Sequence, residues 1–321
     1  MANIEKIGAL ALGMLLATAP VMADPWRHGV IEPKSDAGFI LMLTTQDFAK
    51  KFGVDLQIVS LKNENLGLRG LLAGELDSYE GSPPIAALSH GADVKELGCP
   101  WGQVPHVVFA KTSIADTKGL VGKTMASSAP GSMPDLVGRA AAERAGLASG
   151  DVKLANVGGD SDRYRALLGG VVDAAVVSIE YQPIIDPAKA HIIARGAEVL
   201  PEILRICYQT TSKVIANRPD DAAHFLAAEM TALRYALGHK AETVALTQSS
   251  TGAKPDDPRA AFMFDEVIRQ HYIDPTLPLP VATFQAMQHK LKELGVVAQD
   301  VDVSHIAVEG PRQKALELVG R

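Results

Sequence analysis

The chain has 321 residues, 47% of them hydrophobic, and a formal net charge of −6 at pH 7. A chain of this length can bury a large core and has room for two domains. Acidic and basic residues are mixed throughout, so no basic stripe is available to neutralise phosphates, which argues against nucleic acid as a partner.

The first 23 residues have the pattern of an export signal. Lys6 precedes an apolar run from Ile7 to Ala19, and Val21-Met22-Ala23 forms a small-residue cleavage site. A membrane anchor is the alternative, but the run is short for a bilayer and is broken by Pro20. No cysteine lies near the cleavage site, which argues against a lipoprotein. We therefore expect a mature chain that begins at Asp24 and resides in a bacterial periplasm.

From Trp26 onward, short apolar segments alternate with helical stretches, which is typical of an α/β fold. Residues 24–111 are predicted to form the first part of lobe 1. The pattern predicts a strand ending at Val30-Ile31, a helix over Ser35 to Lys51, a strand over Val54 to Leu61, a helix over Leu66 to Ala73, a strand from Asp77, a helix from Ser82 to His90, a strand over Val94 to Leu97 and an apolar segment over His106 to Ala110.

Residues 112–203 are predicted to form lobe 2, and residues 204–321 to return to lobe 1 and add C-terminal helices. The elements expected in lobe 2 are a strand over Thr124 to Ala126, a helix ending near Ala145, a strand over Val152 to Val157, a helix over Ser161 to Leu168, a strand over Ala174 to Val177 and a strand around Ile192. The returning segment is Leu204 to Ile215, and the chain is mostly helical from Pro219.

Two stretches of the chain repeat each other. Leu71-Leu72-Ala73-Gly74-Glu75-Leu76-Asp77 resembles Leu167-Leu168-Gly169-Gly170-Val171-Val172-Asp173, 96 positions further on. A chance match among common residues is the alternative to a true repeat. Each copy predicts a helix that ends at Gly and a strand opened by Asp, followed by a polar segment with proline that starts a helix. Two helix starts facing across a cleft would present free N–H groups to a polar or anionic small molecule.

These stretches resemble type II periplasmic solute-binding proteins, in the branch of the sulfonate, taurine, nitrate and thiamine-pyrimidine binding components of ABC importers. The matching segments are Leu71 to Pro84, Lys118 to Thr124 and Ala166 to Ala175. The resemblance implies two α/β lobes joined by two crossovers, with a ligand cleft between them. It further implies hinge closure on a small-molecule solute and delivery to a permease in the inner membrane. We expect a monomer.

If the lobes form a clamp, binding groups lie in loops at the carboxyl ends of the strands. Serine hydroxyls there would donate hydrogen bonds, and an aromatic ring would cover a flat ligand face, although serines before helices commonly serve as caps and tryptophans commonly pack in cores. The candidate ligand-binding residues are Lys34, Ser35, Asp36, Glu80, Gly81, Ser82, Trp101, Ser127, Ser128, Gly131, Ser132, Asp160, Ser178, Glu180 and Tyr181.

The charges among these candidates leave two ligand classes open. Helix starts and Lys34 favour a small organic anion such as a sulfonate or an aromatic or aliphatic carboxylate, which is the preferred prediction. Glu80 and Glu180 occupy matching places in the two copies and would repel an anion if they faced the cleft. In that case an amine or a nitrogenous heterocycle is the better candidate.

No catalytic motif, metal-ligand cluster or cofactor site is recognised in the sequence, so a binding protein is predicted rather than an enzyme. A related enzyme group that makes the thiamine pyrimidine carries a cysteine-rich motif, whereas Cys99 and Cys207 are isolated here. The two cysteines either pair or remain buried free thiols. A ligand-sensing subunit of a membrane receptor stays open beside a transport subunit.

Overall fold

Two five-stranded sheets form the framework of the protein, which we describe from a computed structural model covering residues 24–32 and 34–320. The predicted export signal, residues 1–23, lies outside the described residues. The strands are β1 (Trp26–Ile31), β2 (Leu56–Leu61), β3 (Ser78–Gly81), β4 (Lys95–Trp101), β5 (His106–Lys111), β6 (Thr124–Ser127), β7 (Lys153–Asn156), β8 (Ala174–Ser178), β9 (Ala190–Arg195) and β10 (Ile206–Thr210).

Helices flank both sheets and make up most of the chain after β10. No helix of the described ranges combines the length and hydropathy needed to cross a bilayer. The helices are α1 (Ala37–Ile40), α2 (Phe48–Lys51), α3 (Glu64–Leu72), α4 (Ile85–Leu88), α5 (Met133–Arg144), α6 (Asp160–Leu168), α7 (Gly196–Val199), α8 (Ser212–Asn217), α9 (Pro219–Gly238), α10 (Lys240–Thr251), α11 (Arg259–Gln270), α12 (Val281–Glu293) and α13 (Glu309–Leu318).

The two sheets have the same topology. The strand order is β2-β1-β3-β10-β4 in the first lobe and β7-β6-β8-β5-β9 in the second. β10 runs antiparallel to β3 and β4, and β5 runs antiparallel to β8 and β9. Each lobe therefore completes its sheet with one antiparallel strand that the chain forms immediately after crossing from the other lobe.

This topology corrects the predicted lobe boundary at residue 111. The segment His106–Lys111 was assigned to the first lobe as an apolar run, but as β5 it pairs with β8 and β9 in the second sheet. An apolar run does not indicate which sheet it joins, because both neighbours of a central strand are supplied by distant parts of the chain. The first crossover accordingly spans residues 102–105.

The sequence repeat is confirmed as a repeat of structure. In each lobe a helix ends at a glycine with φ of 75°, Gly74 after α3 and Gly170 after α6, and a parallel strand follows. Only glycine adopts this left-handed conformation without strain. The aspartates of the repeat also act alike: Asp77 accepts the backbone N–H of Arg27, and Asp173 accepts that of Thr124. Each aspartate thus anchors its strand to the neighbouring parallel strand.

The segment predicted as one helix from Ser35 to Lys51 is instead broken into three short pieces. α1 and α2 are separated by a 3₁₀ turn over Met42–Thr44, and Gln46 and Asp47 both have positive φ. Two consecutive residues in the left-handed region end helical hydrogen bonding, which amphipathic spacing alone did not reveal. The helix starts predicted after each repeat are also short: α4 has four residues, and a 3₁₀ helix over Ile179–Ile184 follows β8.

A buried aromatic and polar cluster packs the first sheet against α9. The indole N–H of Trp26 donates to the Ser78 hydroxyl at 2.9 Å, and the Trp26 and Phe225 rings stack with centroids 5.4 Å apart. Glu229 of α9 is buried beside Tyr208. Burial raises the pKa of Glu229 to about 8, so this carboxyl group is protonated at neutral pH.

Cys99 of β4 and Cys207 of β10 form a disulfide, so the two cysteines pair rather than remain free thiols. The two half-cystines are 108 residues apart, and the closed loop contains the entire second sheet. Because β4 leads into the first crossover and β10 follows the second, the bond ties the chain at the point where it leaves and re-enters the first lobe.

Loss of this disulfide is expected to lower the free energy of unfolding. Closing a loop of this length restricts the unfolded chain, so the double variant Cys99→Ala/Cys207→Ala should be less stable by roughly 2 to 5 kcal/mol. Urea unfolding followed by circular dichroism measures the difference, with the reduced wild type as a second comparison. Equal unfolding midpoints for oxidised and reduced protein would contradict the prediction.

Glu229→Gln is expected to reduce the loss of stability that accompanies rising pH. The folded state keeps the Glu229 proton up to a pKa of about 8, whereas the unfolded chain releases it near 4.5, so this group stabilises the fold fully below pH 4.5 and less as pH rises to 8. Within that window the wild type should lose up to about 1.4 kcal/mol per pH unit more than the variant. Parallel slopes in unfolding free energies measured at pH 5 to 8 would refute this role.

Candidate functional site

The carboxyl ends of β1 and β3 face the loops after β6 and β7 across a cavity of about 330 Å³, which we call the inner chamber. Both lobes supply its walls. The first lobe contributes residues around Ile31, Glu80 and Arg205, and the second contributes residues around His106 and Gly159. This is the position at which α/β sheets place ligands. The charged residues that line it are Glu32, Lys34, Asp36, Glu64, Glu80, Asp160, Arg163 and Arg205.

Arg205 is the principal cation of the first-lobe wall. It lies at the end of the second crossover. Its guanidinium group pairs with the buried Asp36 carboxylate, and the guanidinium carbon Cζ lies 4.1 Å from the centre of the Trp101 ring. A guanidinium held by a carboxylate on one side and by an aromatic face on the other is fixed in position. Arg205 therefore presents a fixed charged group directly before β10.

Arg163 organises the second-lobe wall. It is almost fully buried in α6 and donates to the Val176 carbonyl at 2.6 Å, to the Gly158 carbonyl, and to Asp160 at 2.6 Å. Asp160 also accepts the backbone N–H of Ser178 at 2.9 Å. Burial acts to raise the pKa of Asp160, but the surrounding positive groups outweigh it and lower that pKa to about 2. Asp160 is thus ionised at all physiological pH values.

One ion pair joins the two lobes across the cleft. The Lys34 ammonium group lies 3.5 Å from the Asp160 carboxylate, and both residues line the inner chamber as well as a second cavity. The second cavity, which we call the outer chamber, has a volume of about 550 Å³. Lys34 and Asp160 therefore form a partition between two chambers of one cleft.

The outer chamber has an aromatic and polar lining. The hydroxyl groups of Ser161 and Tyr181 lie 2.7 Å apart, and the Arg259 guanidinium of α11 lies 5.4 Å from the centre of the Tyr181 ring. α11 thereby contacts the second lobe while its neighbour α10 packs on α1 of the first. The C-terminal helices consequently form one wall of the cleft rather than a separate unit.

Each chamber is lined by one buried glutamate, but the predicted match between the two is wrong, because Glu80 lies three residues after Asp77 and Glu180 lies seven residues after Asp173. Glu80 at the end of β3 lines the inner chamber, and Glu180 after β8 lines the outer chamber. Burial, reinforced by repulsion from Asp36, raises the pKa of Glu80 well above its ordinary value and that of Glu180 to about 7. Both residues therefore line the cleft, although each carboxyl group is largely buried.

His106 enters the inner chamber at the start of β5, directly after the first crossover. Its Nδ1 atom is buried and has no hydrogen-bond partner among the described residues. Burial lowers the pKa of His106 to about 3, so the ring is neutral at pH 7. A neutral imidazole can present one donor and one acceptor to a ligand.

The structure brings ten of the fifteen candidate residues to the two chambers. Seven line the inner chamber, namely Lys34, Asp36, Glu80, Gly81, Ser82, Ser128 and Asp160. Ser35, Glu180 and Tyr181 line the outer chamber. The Ser82 hydroxyl already donates to the Leu204 and Arg205 carbonyls, so it braces the second crossover.

Five candidate residues lie outside both chambers. Trp101 is buried beneath Arg205, and Ser127 is buried at the end of β6. Gly131 donates its N–H to Asp135, and Ser132 precedes α5 with its hydroxyl buried and without a hydrogen bond among the described residues. Ser178 instead contributes its backbone N–H to Asp160. These five residues were predicted from residue type and loop position, which do not reveal which side of a loop faces the cleft.

The sequence did not point to Arg163, Arg205, His106 or Glu64 as site residues. Arg205 and His106 enter the inner chamber because both crossovers pass beside it, which is a property of the topology. For Arg163 a signal existed, since its spacing of three residues from Asp160 places both on one face of a helix. Glu64 accepts the backbone N–H of Ser82 at 3.4 Å, a contact between distant segments.

Comparison with solved structures places this architecture in the periplasmic binding protein fold. The periplasmic aliphatic sulphonate binding protein SsuA from Escherichia coli superposes with a TM-score of 0.74 at 20% identity, over 88% of this chain and 91% of that chain. The periplasmic sulfonate-binding protein SsuA from Methylobacillus flagellatus gives a TM-score of 0.73 at 17% identity, over 92% and 94%. The periplasmic nitrate-binding protein NrtA from Synechocystis gives 0.69 at 12%, over 92% and 89%.

The protein thus has the two-lobed α/β architecture of that fold, with two polar cavities in the cleft between the lobes. The chain belongs to the NMT1/THI5-like family, whose model matches residues 35–243. No curated protein matches it in sequence. The matched residues include both copies of the repeat, which supports the resemblance found from sequence.

Replacing Arg163 by methionine is expected to destabilise the second lobe. The variant leaves Asp160 and two carbonyl groups without their buried donor, which should cost about 3 to 5 kcal/mol of unfolding free energy. Arg165→Met is the matched control on the same helix, because Arg165 pairs with Asp162 at the surface and its side chain is 70% exposed. That control should change stability by less than about 0.5 kcal/mol. Similar losses in both variants, measured by urea unfolding, would contradict the assigned role.

Proposed function

We propose that this protein is the extracytoplasmic solute-binding component of an ABC importer. The observation that carries the proposal is the enclosed cleft whose polar groups come from both lobes and meet at the Lys34–Asp160 pair. Binding of one small molecule to groups on both lobes favours the closed arrangement over the open one. The family and the named binding proteins that share the fold support the same role.

Closure would take place about the two crossovers, residues 102–105 and 196–205. Arg205 and His106 lie at the inner ends of these segments and line the inner chamber. A ligand that contacts them is therefore coupled directly to the hinge. In the periplasm, the closed, loaded form would be recognised by an inner-membrane permease, and the protein itself would catalyse no reaction.

The charges of the inner chamber favour a ligand that donates hydrogen bonds, such as an amine or a nitrogenous heterocycle. Among the described residues five acidic side chains line this chamber against three cationic ones. Two of these cations, Arg163 and Arg205, are already held by Asp160 and Asp36. Glu80 has no cationic partner within salt-bridge distance among the described residues, so a nitrogen-bearing ligand would supply the missing charge or donor.

A small organic anion is the second candidate ligand. The proteins named above as sulphonate and nitrate binding share the fold, and the guanidinium group of Arg205 lies in the chamber wall. An anion can accept a hydrogen bond from Arg205 Nη1, which is buried and has no partner among the described residues, while Asp36 keeps its pair with Nη2. The two candidates therefore differ in the group that the ligand contacts, either the Glu80 carboxyl group or the Arg205 guanidinium group.

A thermal-shift screen of the mature protein, freed of copurified solute by unfolding and refolding, tests the proposal. The panel contains amines, nitrogenous heterocycles, sulfonates, carboxylates and nitrate at equal ionic strength. A ligand that binds only the folded state must raise the melting temperature. A rise for one chemical class supports a solute receptor and identifies the ligand class. No rise for any class would contradict the proposed function.

Ser128→Ala is expected to weaken binding of the solute identified by that screen. Ser128 lines the inner chamber, whereas Ser132, four residues later, is buried outside it and serves as the matched control. Losing one hydrogen bond of about 0.5 to 1.5 kcal/mol should raise the Kd roughly two- to tenfold for Ser128→Ala only. Isothermal titration calorimetry measures both values. Equal affinities for the two variants would remove Ser128 from the binding site.

A further inference from the structure

One buried glutamate lines each chamber of the cleft. Glu80 is 3% exposed and Glu180 is 8% exposed, and neither forms an ion pair with a described residue. Among the described residues, Glu80 accepts the Ile31 N–H at 3.2 Å, and Glu180 accepts the Ser178 hydroxyl at 3.4 Å. A carboxyl group buried without a cation is costly in an empty site, and a cationic ligand would relieve that cost.

Among the described residues that line both chambers, only Lys34 carries an ammonium group. Its Nζ lies 3.5 Å from Asp160, its side chain is 51% exposed, and it lines both cavities. A pair this exposed contributes little to stability, so Lys34 can swing away at small cost. Withdrawal of Lys34 would widen the boundary between the chamber lined by Glu80 and the chamber lined by Glu180.

The lining as a whole is acidic. Across the described residues of the two chambers there are eight acidic side chains and five cationic ones, Lys34 included. Displacement of Lys34 into solvent increases this imbalance. A ligand that takes its place is therefore favoured if it carries positive charge at both ends.

We propose that the solute carries two separated nitrogen cations or N–H groups, one bound by Glu80 in the inner chamber and one by Glu180 in the outer chamber, and that it displaces the Lys34 ammonium group from the partition. This inference rests on the proposed function and specifies its ligand. In the empty protein, the Lys34 ammonium group occupies the place between the chambers that the middle of the ligand would take. Its removal should therefore favour binding, unlike the removal of an ordinary ligand-binding lysine.

The test compares straight-chain α,ω-diamines of two to six carbons with the monoamines of equal length, by calorimetry at constant ionic strength. At least one diamine should bind about tenfold tighter than its monoamine, as one additional charge-assisted hydrogen bond implies. Glu80→Gln and Glu180→Gln should each abolish that advantage. Glu75→Gln, at an exposed site outside both chambers, is the control and should preserve it.

Lys34→Met is a second test variant, and it should not disturb folding because the Lys34 side chain is exposed. It should bind the preferred diamine several-fold more tightly than the wild type, because no ammonium group then has to leave the partition or repel the cationic ligand. Equal binding of diamines and monoamines, or weaker diamine binding by Lys34→Met, would overturn the inference while the receptor function stands. Binding of anions with no binding of amines would overturn this inference and also the proposal that the ligand is an amine or a nitrogenous heterocycle. A panel without any ligand would overturn the proposed function as well.

Discussion

The cleft depends on the insertion of one antiparallel strand from each crossover into the sheet of the lobe that it enters. β10 lies between β3 and β4, and β5 lies between β8 and β9, so each crossover enters the interior of a sheet after leaving the edge strand of the other sheet. The disulfide between Cys99 and Cys207 joins β10 covalently to β4. Both crossovers are therefore held by a sheet at each end.

The same insertion explains the composition of the site. His106 begins β5 and Ile206 begins β10, so each lobe enters the inner chamber with the first residue of its inserted strand. Arg205 precedes β10, and its pairing with Asp36 and its contact with Trp101 link the second crossover to the first-lobe wall. The crossovers and the lining of the inner chamber are thus built from adjoining residues.

The cationic and acidic groups of the cleft are paired unequally. Arg163 and Arg205 are each engaged by a carboxylate, whereas Glu80 and Glu180 are buried without a cation in the described structure. The raised pKa values of Glu80 and Glu180 reflect this environment, and the pKa of about 7 for Glu180 makes the charge of the cleft dependent on pH near neutrality. A ligand that brings positive charge would restore the ionised form of both groups, which couples binding to proton release.

The sequence by itself determined the repeated helix–glycine–strand–aspartate unit, because Gly74 and Gly170 meet a local backbone requirement and Asp77 and Asp173 follow at a fixed spacing. It also indicated most strands and the loops that carry Lys34, Glu80 and Asp160, since apolar periodicity and loop chemistry are local signals. Only the tertiary structure decided the sheet joined by β5, the pairing of the cysteines and the orientation of Glu180. It also brought Arg163, Arg205 and His106 to the cleft. Those features arise from contacts between segments far apart in the chain, and no local pattern of residues encodes which distant segment will be the neighbour.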